Sequence, residues 1–551
     1  MYICGYAIKF NKMNRNAIKL LSVVMLLHLY VSGINASPLN TSHSFKVNIS
    51  SSGPVIWNVA DNINMWDFSQ WHGDMEKERK DHFKTDLPYV KYVQLMTIGG
   101  NEQRDMFKAP LDRSVMDDYD FSPLIRVCKN VLDQGLIPTI KLGNVPLKYS
   151  ANPQISSDFR VNKCPPDDYN LWHGYIKAIA QAMVDNFGLK TARNFRFGVL
   201  TEYENGSWFS LDDDPEKTKI SYFKLYDYAV DALEQVLGNK VCVGAHSMTV
   251  ANGLWDEKEF ITHCAKGKNY CTGKTGTRIC YLAASFYDLR PGVPDKRTLA
   301  ETVNELKEAA IKEGLTDLFY GIDEGRILRG SDNKEIGPRA VGHTWQAAYD
   351  ARLYHTMLDE NIDYLSHWSY NTNSIKTGIP SVSAHTSDLF YRLAGAVRLP
   401  VEYQTNDTSK SNKTGGIAAF NKKQNKLYLL FYAYTDSVLR RDNRDISCEI
   451  SGIGKKSCQV KAVRTLISDD TNFFDDWLND WPELGITKDD FSWSYESFVV
   501  SPRLIPSEKI PYYMSCAELK PTTEVLDIDK GLLNIKTTIP ESGVLLYEIS
   551  L

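Results

Sequence analysis

Runs of consecutive apolar residues alternate with longer amphipathic stretches between residues 54 and 400. A continuous apolar run indicates a strand that is buried on both faces, and apolar residues three or four positions apart indicate a helix. The apolar runs predict eight strands, at 55–59, 92–96, 137–141, 196–200, 241–245, 280–284, 318–322 and 364–368. The amphipathic stretches between them predict helices at 167–187, 219–237, 297–313, 339–360 and 384–397.

Eight strand–helix units within residues 54–400 predict a closed, parallel (β/α)8 barrel, that is, an α/β fold of the TIM-barrel type. An open, doubly wound sheet is the alternative. Such a sheet usually carries a glycine-rich turn after its first strand, and no such turn follows residues 55–59.

The pattern changes after residue 400, where strands follow one another without intervening helices. These strands are predicted at 426–434, 446–450, 458–463 and 543–549. Asn, Gly and Lys turns separate them, which predicts a C-terminal antiparallel β-sandwich over residues 401–551. We expect an N-terminal strand within residues 38–53 to pack on this sandwich, and segment 469–497 to leave it as a long excursion.

The first 37 residues have the pattern of a secretory signal peptide, with an upstream extension of twelve residues. Basic residues at 13–19 precede an apolar run at 20–31, which is too short to span a bilayer. No later apolar run reaches eighteen residues, so we expect a secreted or lysosomal protein without a membrane segment. Glycosylation sequons agree with this route and stand at Asn40, Asn48, Asn205, Asn406 and Asn412.

Ten cysteines also suit an oxidising compartment, and one of them lies in the leader. Cys264, Cys271 and Cys280 lie close together in the sequence, and Cys448 and Cys458 are placed to close a hairpin by a disulfide. Nine cysteines remain after the leader, so at least one thiol is expected to stay free.

The formal charge of −5 is made up of interspersed residues of both signs, and no run of Lys or Arg predicts binding to nucleic acid or to an anionic membrane. Eleven Trp and thirty Tyr residues are many for this length. Such rings line carbohydrate clefts, although most of them are expected to fill the core. No spacing of Cys and His predicts a zinc site, so neither a metal nor a cofactor is expected.

Carboxylates follow the fourth and seventh predicted strands, at Glu202 and Glu204 and at Asp323 and Glu324. The active site of such a barrel lies at the carboxyl ends of its strands, where these side chains converge. A single carboxylate there is often only a solvated loop residue, but a pair on strands four and seven favours Glu202 and Glu324 as catalytic groups of glycoside hydrolysis. Strand alternation points Glu204 the same way as Glu202, so it remains an alternative, whereas Asp323 is expected to face away.

Further side chains at the strand ends are predicted to bind a carbohydrate substrate. These are Asn58, Lys141, Glu204, Trp208, His246, Tyr287, Arg326, His367 and Trp368. A structural role for either histidine is an equally good interpretation. The acidic run 212–214 is interpreted as a solvated loop.

At these residues the chain resembles glycoside hydrolase family 39 of clan A, and within it the iduronidases. The resemblance is clearest in segment 262–281, in the strand that carries Asp323-Glu324, and in residues 427–436 and 444–454. It implies a retaining hydrolase in which Glu202 is the acid/base and Glu324 the nucleophile, and which removes terminal sugars from a glycosaminoglycan or another oligosaccharide. A β-xylosidase-type enzyme and a catalytically inactive secreted carbohydrate-binding protein are the alternatives.

Several positions depart from the pattern of this family. Thr201 stands where an asparagine usually precedes the acid/base, and Ser285 and Tyr287 stand where iduronidases have His and Lys. Gln94 and Met96 replace an expected Arg and His, and the stretch after strand eight is shortened. A uronate substrate needs a fixed cation. The candidates for that cation are Lys141, Arg290, Arg326 and Arg329.

Overall fold

The computed structural model describes ten stretches of the chain, at residues 41–65, 87–249, 252–288, 297–326, 343–368, 378–409, 413–435, 442–454, 457–485 and 505–551. The predicted signal peptide and the sequons at Asn40 and Asn412 lie outside these residues.

Eight parallel strands close into a barrel in chain order, with the last strand pairing with the first. The strands are β2 (Asn62–Met65), β3 (Tyr92–Leu95), β4 (Ile137–Lys141), β5 (Arg196–Gly198), β6 (Cys242–Ser247), β7 (Tyr281–Tyr287), β8 (Phe319–Arg326) and β9 (Tyr364–Trp368). Seven of the eight predicted strands are confirmed. The first is wrong, because residues 55–59 precede the barrel and the strand begins at Asn62.

Helices cover the barrel in the expected alternation. They are α1 (Ser122–Asp133), α2 (Tyr169–Phe187), α3 (Leu189–Ala192), α4 (Pro215–Leu237), α5 (Lys258–Lys266), α6 (Leu299–Lys312), α7 (Trp345–Glu360) and α8 (Val382–Leu393). Local sequence fixes several ends: Asp214 caps α4 just before a proline, and Thr298 and Glu301 form a capping box at α6.

Aromatic and long charged side chains fill the barrel interior, and glycines on neighbouring strands make room for them. A Cβ atom at Gly321 would lie 2.1 Å from the Tyr364 ring, and one at Gly198 would lie 2.5 Å from the Lys141 side chain. Small residues at these positions therefore allow Tyr364 and Lys141 to cross the barrel beneath its carboxyl end.

The second unit is a mostly antiparallel sheet of ten strands, in the order β10-β12-β13-β18-β15-β16-β17-β14-β1-β11. Its strands are β1 (Thr41–Asn48), β10 (Val397–Leu399), β11 (Val401–Thr405), β12 (Gly415–Asn421), β13 (Lys426–Tyr432), β14 (Arg444–Ser451), β15 (Ser457–Ile467), β16 (Thr522–Asp529), β17 (Leu532–Ile539) and β18 (Val544–Ser550). The N-terminal strand joins this sheet as expected, parallel to β14. The chain crosses at Pro400 from β10 at one edge to β11 at the other.

The two faces of the sheet belong to different apolar clusters. Ile417, Tyr428 and Leu430 pack into the barrel core, whereas Phe45, Leu429 and Ile535 belong to a second cluster within the sheet unit. The excursion from the sheet returns to the barrel side: α9 (Phe474–Leu484) buries Trp477 in the barrel core, and α10 (Ile510–Cys516) lies beside it.

One disulfide is present among the described cysteines, between Cys242 and Cys280. It joins the start of β6 to the residue before β7, its neighbour in the barrel. The predicted pair of Cys448 and Cys458 is wrong, and both are free thiols. Their strands β14 and β15 have other partners, β1 and β17 for one and β16 and β18 for the other, so no hairpin joins them.

Within the described stretches, none of the helices combines the length and apolar character that a bilayer crossing requires.

The segment that resembles the iduronidases, 262–281, is anchored on the outside of the barrel by Asp227 of α4. This fully buried carboxylate binds His263 Nε2 at 3.0 Å, the Thr277 hydroxyl at 2.5 Å and the Tyr270 backbone N–H at 2.7 Å. The segment therefore lies among helices, and its sequence pattern belongs to the scaffold.

We expect Asp227→Ala to lower the free energy of unfolding by about 3 kcal/mol, because three buried donors lose their acceptor. Denaturant unfolding followed by tryptophan fluorescence measures the change. Asp231→Asn is the matched control on the same helix, where a partly exposed His173 pair is worth less than about 1 kcal/mol. Equal losses in the two variants would contradict the anchoring role.

Candidate active site

Four neighbouring strands bring polar side chains together at the carboxyl end of the barrel. Glu202 follows β5, His246 lies in β6, Ser285 and Tyr287 lie in β7, and Glu324 lies in β8. The predicted catalytic carboxylates thus reach the same place from the fourth and seventh barrel strands.

The two carboxylates face each other across a small, buried space. One oxygen of Glu202, one oxygen of Glu324 and one ring nitrogen of His246 all lie within 4.8 Å of one another. Glu202 and Glu324 are 5% and 6% exposed, and His246 is fully buried. A reacting group can therefore touch both carboxylates at once while it is shielded from bulk water.

The backbone around Glu202 is not a strand, which separates it from its rival. Strand β5 ends at Gly198, and Leu200 and Glu202 adopt left-handed conformations with φ of 66° and 46°. Strand alternation therefore fails, and Glu204 turns to the next loop, where it accepts hydrogen bonds from Ser247 Oγ at 2.6 Å and Met248 N at 2.7 Å. Glu204, predicted as an alternative catalyst and substrate ligand, fixes this loop instead.

Glu202 accepts hydrogen bonds from three side chains. Ser285 Oγ donates to one carboxylate oxygen at 2.6 Å, Asn205 Nδ2 donates to the other at 2.6 Å, and Trp208 also hydrogen-bonds the carboxylate. Asn205 was predicted as a glycosylation sequon, but its amide nitrogen is engaged inside the site. Trp208 was predicted to bind substrate. Its ring is buried and stacks on Phe159 with ring centroids 4.0 Å apart.

Ser285 also connects Glu202 to His246. The serine oxygen lies 2.8 Å from His246 Nε2, and the Thr249 hydroxyl donates to the Ser285 carbonyl at 2.7 Å and holds the strand in place. Burial and the nearby Lys141 charge keep the pKa of His246 well below its ordinary range. The imidazole is therefore neutral, and it reaches the catalytic pair through a hydroxyl that can donate or accept.

Tyr287 and an open lone pair define the surroundings of Glu324. The Tyr287 hydroxyl donates a short hydrogen bond to Glu324 Oε1. Glu324 Oε2 has no hydrogen-bond partner within the described part of the chain. Tyr287 was predicted to bind substrate, but in the structure its hydroxyl binds the Glu324 carboxylate. The other oxygen, Oε2, is therefore available to a substrate atom.

Asp323 was predicted to face away from the site, and this is wrong: its side chain lies inside the barrel. The pairing of β7 with β8 runs from Ala284–Ile322 to Ser285–Glu324, so Asp323 is an extra residue in a β-bulge. Its carboxylate forms an ion pair with Lys141 and accepts a hydrogen bond from the Tyr364 hydroxyl at 2.6 Å. The bulge turns two successive carboxylates into the barrel.

Lys141 is therefore not the substrate ligand that the sequence predicted. Its side chain is completely buried and its ammonium is committed to Asp323. Gln94 Nε2 at 2.9 Å and Asn64 Nδ2 at 3.1 Å donate to the Asp323 carbonyl, so main chain and side chain are both held. Lys141 acts on the site through its charge, which opposes part of the rise in pKa that burial causes at Glu202 and Glu324.

Burial raises the pKa of the Glu202 and Glu324 carboxyls. The charge of Glu202 adds to this effect at Glu324, whose pKa rises to about 8. The hydrogen bonds to Glu202 oppose the rise by stabilising its ionised form. Two carboxylates this close do not ionise together readily, so the pair holds one proton up to about pH 8.

Four other predicted residues are outside this arrangement. Asn58 precedes the barrel, and its amide donates to the Tyr89 carbonyl at 2.6 Å, at the opposite end from the carboxylates. Its misplacement follows from the misplaced first strand. The backbones of Arg326, His367 and Trp368 belong to β8 and β9, but their side chains lie outside the described part of the structure, as do Arg290 and Arg329.

Sequence reasoning missed the roles of Asn205, Asp323 and Ser285. Asn205 stands three residues after Glu202 in a left-handed turn, and its Asn-Gly-Ser triplet is also a common surface signal. Asp323 depends on a bulge and Ser285 on a neighbouring strand, and neither leaves a signal in local spacing.

A family model and curated relatives agree on one class of protein. The model for Glycosyl hydrolases family 39 matches residues 65–467. The β-xylosidase of Geobacillus stearothermophilus is 24% identical over 315 residues, which are 54% of this chain and 58% of that enzyme. The α-1,4-L-rhamnosidase of Formosa agariphila is 22% identical over 267 residues, 46% of this chain and 51% of that enzyme. The chain thus spans about half the length of the curated relatives that it matches.

Solved structures share the fold at low sequence identity. A bacterial orthologue of human α-L-iduronidase superimposes with a TM-score of 0.65 at 14% identity, covering 93% of this chain and 84% of that one. A monomeric β-xylosidase from Caulobacter crescentus CB15 gives 0.64 at 14% identity, covering 92% and 99%. At these identities the likeness concerns the fold alone.

We expect Lys141→Met to lower the free energy of unfolding by about 3–5 kcal/mol, because Asp323 is left as an unpaired buried charge. Adding Asp323→Asn should recover part of the loss, since the remaining group is neutral. Denaturant unfolding of the two single variants and the double variant measures the coupling.

Lys129→Met is the control, because the Lys129–Asp133 pair is exposed and should be worth less than about 1 kcal/mol. A Lys141→Met protein as stable as the parent would show that Lys141 is not a structural cation and would return it to the substrate ligands.

Proposed function

The chain belongs to Glycosyl hydrolases family 39, and we propose that it is a glycosidase that hydrolyses O-glycosyl bonds and removes terminal sugar units with retention of configuration. The observation that carries this proposal is the separation of the carboxylates. Retaining enzymes hold their two carboxyl groups about 5–5.5 Å apart, and inverting enzymes hold them about 6.5–9.5 Å apart to admit a water molecule. Oxygens of Glu202 and Glu324 within 4.8 Å of each other support retention.

Glu324 is proposed as the nucleophile and Glu202 as the acid/base. In the first step Glu324 attacks the anomeric carbon while Glu202 protonates the departing glycosidic oxygen. In the second step Glu202, now ionised, removes a proton from water, and the water displaces the sugar from Glu324. The Tyr287 hydroxyl supports the ionised nucleophile, and the free Oε2 atom of Glu324 is open to the anomeric carbon.

The single proton of the pair supports this division of labour. The empty site favours the proton on Glu324, because hydrogen bonds stabilise ionised Glu202 and the charge of Glu202 opposes ionisation of Glu324. A bound glycoside favours the opposite form, since its glycosidic oxygen accepts a hydrogen bond from Glu202 and its anomeric carbon gains positive charge beside Glu324. The catalytic form therefore arises with the substrate present.

The terminal sugar has two candidate classes. The first is a uronic acid at the end of a glycosaminoglycan, as the resemblance to iduronidases implies. The second is a neutral pentose of the β-xyloside type, and the engagement of Lys141 by Asp323 favours it, because this buried ammonium is not free to bind a carboxylate. Two of the curated relatives are β-xylosidases.

The inactive carbohydrate-binding alternative is the weaker one. The observation that suggests it is Thr201, which stands where an asparagine usually precedes the acid/base. Glu202 and Glu324 nevertheless meet in a buried space with separate sets of donors. Buried carboxylates held this close cost free energy, which a purely binding site has no reason to carry.

Secretion and the sandwich architecture are further parts of the proposal. The Cys242–Cys280 disulfide supports an oxidising compartment, secreted or lysosomal. Asn205 is excluded as a glycan acceptor in the folded protein by its bond to Glu202. The passage of the chain at Pro400 between opposite edges of the ten-strand sheet, and the apolar cluster within that unit, support a sheet curled into two layers.

We expect the purified protein to hydrolyse one of a panel of aryl glycosides that includes α-L-iduronide and β-D-xyloside. Glu324→Gln should reduce kcat by about 10³-fold or more, because the nucleophile is lost. Glu202→Ala should spare the first step for dinitrophenyl glycosides, whose leaving group needs no acid, and added azide should restore turnover. NMR should show that the first product has the anomeric configuration of the substrate.

Glu204→Gln is the matched control on the same loop, and it should keep kcat within about tenfold of the parent. Inversion of configuration would refute the retaining mechanism. Sugar binding without turnover of any glycoside would favour the inactive alternative.

We expect Ser285→Ala to move the bell-shaped pH profile of kcat/KM to higher pH by about one unit. Ser285 donates to ionised Glu202, so its loss disfavours ionisation and the pair keeps its proton to higher pH. In the parent the alkaline limb should lie near pH 8, where that proton is lost. Ser247→Ala, which removes the equivalent donor to Glu204, should leave the profile in place; equal shifts would contradict the assignment.

A further inference from the structure

Three side chains of the kinds that bind metal ions converge at the carboxyl end of the barrel, and two of them are the proposed catalytic carboxylates. Ligand atoms of Glu202, Glu324 and His246 lie within 4.8 Å of one another, and all three residues are buried. The sequence gives no sign of this group, because its members stand 44 and 78 residues apart. Imidazole and carboxylate are both ligands of Zn²⁺.

Several donor atoms of this group have lone pairs that are free to bind a ligand. Glu324 Oε2 and His246 Nδ1 have no hydrogen-bond partner among the described residues. Glu202 accepts hydrogen bonds from Ser285, Asn205 and Trp208, and a carboxylate offers about four lone-pair sites, so one site remains open. All three side chains can therefore still coordinate an ion.

The spacing suits a small four-coordinate ion. Zn²⁺ binds nitrogen and carboxylate oxygen at about 2.0–2.2 Å, so ligands of a tetrahedral site lie about 3.4 Å apart. The donor atoms of Glu202, Glu324 and His246 lie within 4.8 Å of one another, so an approach of at most about 1.4 Å between them gives that spacing. Mg²⁺ and Ca²⁺ prefer a shell of about six or more oxygen ligands, so a site of one imidazole and two carboxylates suits them less well than Zn²⁺.

We propose that Glu202, Glu324 and His246 bind one Zn²⁺ ion, or a similar transition-metal ion, that inhibits the enzyme. Binding of the ion releases the proton that the two carboxyl groups share, and the two ionised carboxylates then balance the charge of a divalent ion. The ion occupies the space between acid/base and nucleophile, where the anomeric carbon must lie. Zn²⁺ and substrate therefore exclude each other. This competition rests on the proposed function, whereas the binding of the ion does not.

Thermal unfolding and calorimetric titration of the full-length mature protein test the binding without a substrate. ZnCl2 should bind with one-to-one stoichiometry at this site and raise Tm by about 3 °C when free Zn²⁺ is a hundred times its Kd. EDTA should reverse the shift, and MgCl2 at equal concentration should give none. Where a glycoside is hydrolysed, Zn²⁺ should raise KM and leave kcat unchanged.

Two ligand variants and one control locate the ion. His246→Gln and Glu324→Gln should each raise the Kd for Zn²⁺ about tenfold or more. Two variants are used because either one alone could weaken binding through a defect in folding. Cys271→Ser disrupts a second group of close donor atoms found among the described residues, His173, Asp231 and Cys271 outside the barrel, and should leave Kd unchanged.

Two results would overturn the proposal. One is the absence of Zn²⁺ binding by the parent, and the other is binding that survives both ligand variants, whether or not Cys271→Ser abolishes it. Failure to hydrolyse any glycoside would count against the proposed function alone, because the titration does not depend on turnover.

Discussion

The buried ion pair of Lys141 and Asp323 is the interaction on which the site depends. Asp323 enters the barrel only because β8 has a bulge, and the same bulge turns Glu324 toward Glu202. Among the described residues, three carboxylates thus lie close together inside the barrel, and the Lys141 ammonium pairs with one of them. A charge buried without a partner costs several kcal/mol, so this arrangement is stable only while Lys141 remains bound to Asp323. Glycines on neighbouring strands provide the space that Lys141 needs.

The proposed catalytic chemistry follows from the imbalance of charge that remains. Lys141 is paired with Asp323, so within the described stretches Glu202 and Glu324 have no cationic side chain of their own, and they share one proton. Neutral His246 adds no charge and acts through the Ser285 hydroxyl. The same lack of a counter-ion makes the space between the carboxylates attractive to any positive centre. An oxocarbenium-like transition state and a small divalent ion satisfy that requirement in the same way.

The fold was predictable because periodicity reports burial directly. Strands 137–141 and 364–368 were predicted with their observed bounds, since a short continuous apolar run between polar segments is typical of a strand buried on both faces. The first strand was misplaced because Val55–Val59 is as apolar as a strand although it only leads into the barrel. That error carried Asn58 to the wrong end. The disulfide was mispredicted because neighbours in a sheet are set by topology and not by distance along the chain.

The sequence by itself determined the barrel, the sheet that follows it and the convergence of Glu202 and Glu324, because strand order fixes which chain segments reach the carboxyl end of a parallel barrel. Tertiary structure alone decided the roles of their neighbours. Left-handed backbone conformations at Leu200 and Glu202 point Glu202 and Glu204 in different directions. A bulge turns Asp323 inward, and the ion pair of Lys141 with Asp323 leaves Lys141 unable to bind substrate. Hydrophobic pattern encodes which face of an element is buried, but the partner of a buried charge is set by contacts between distant strands.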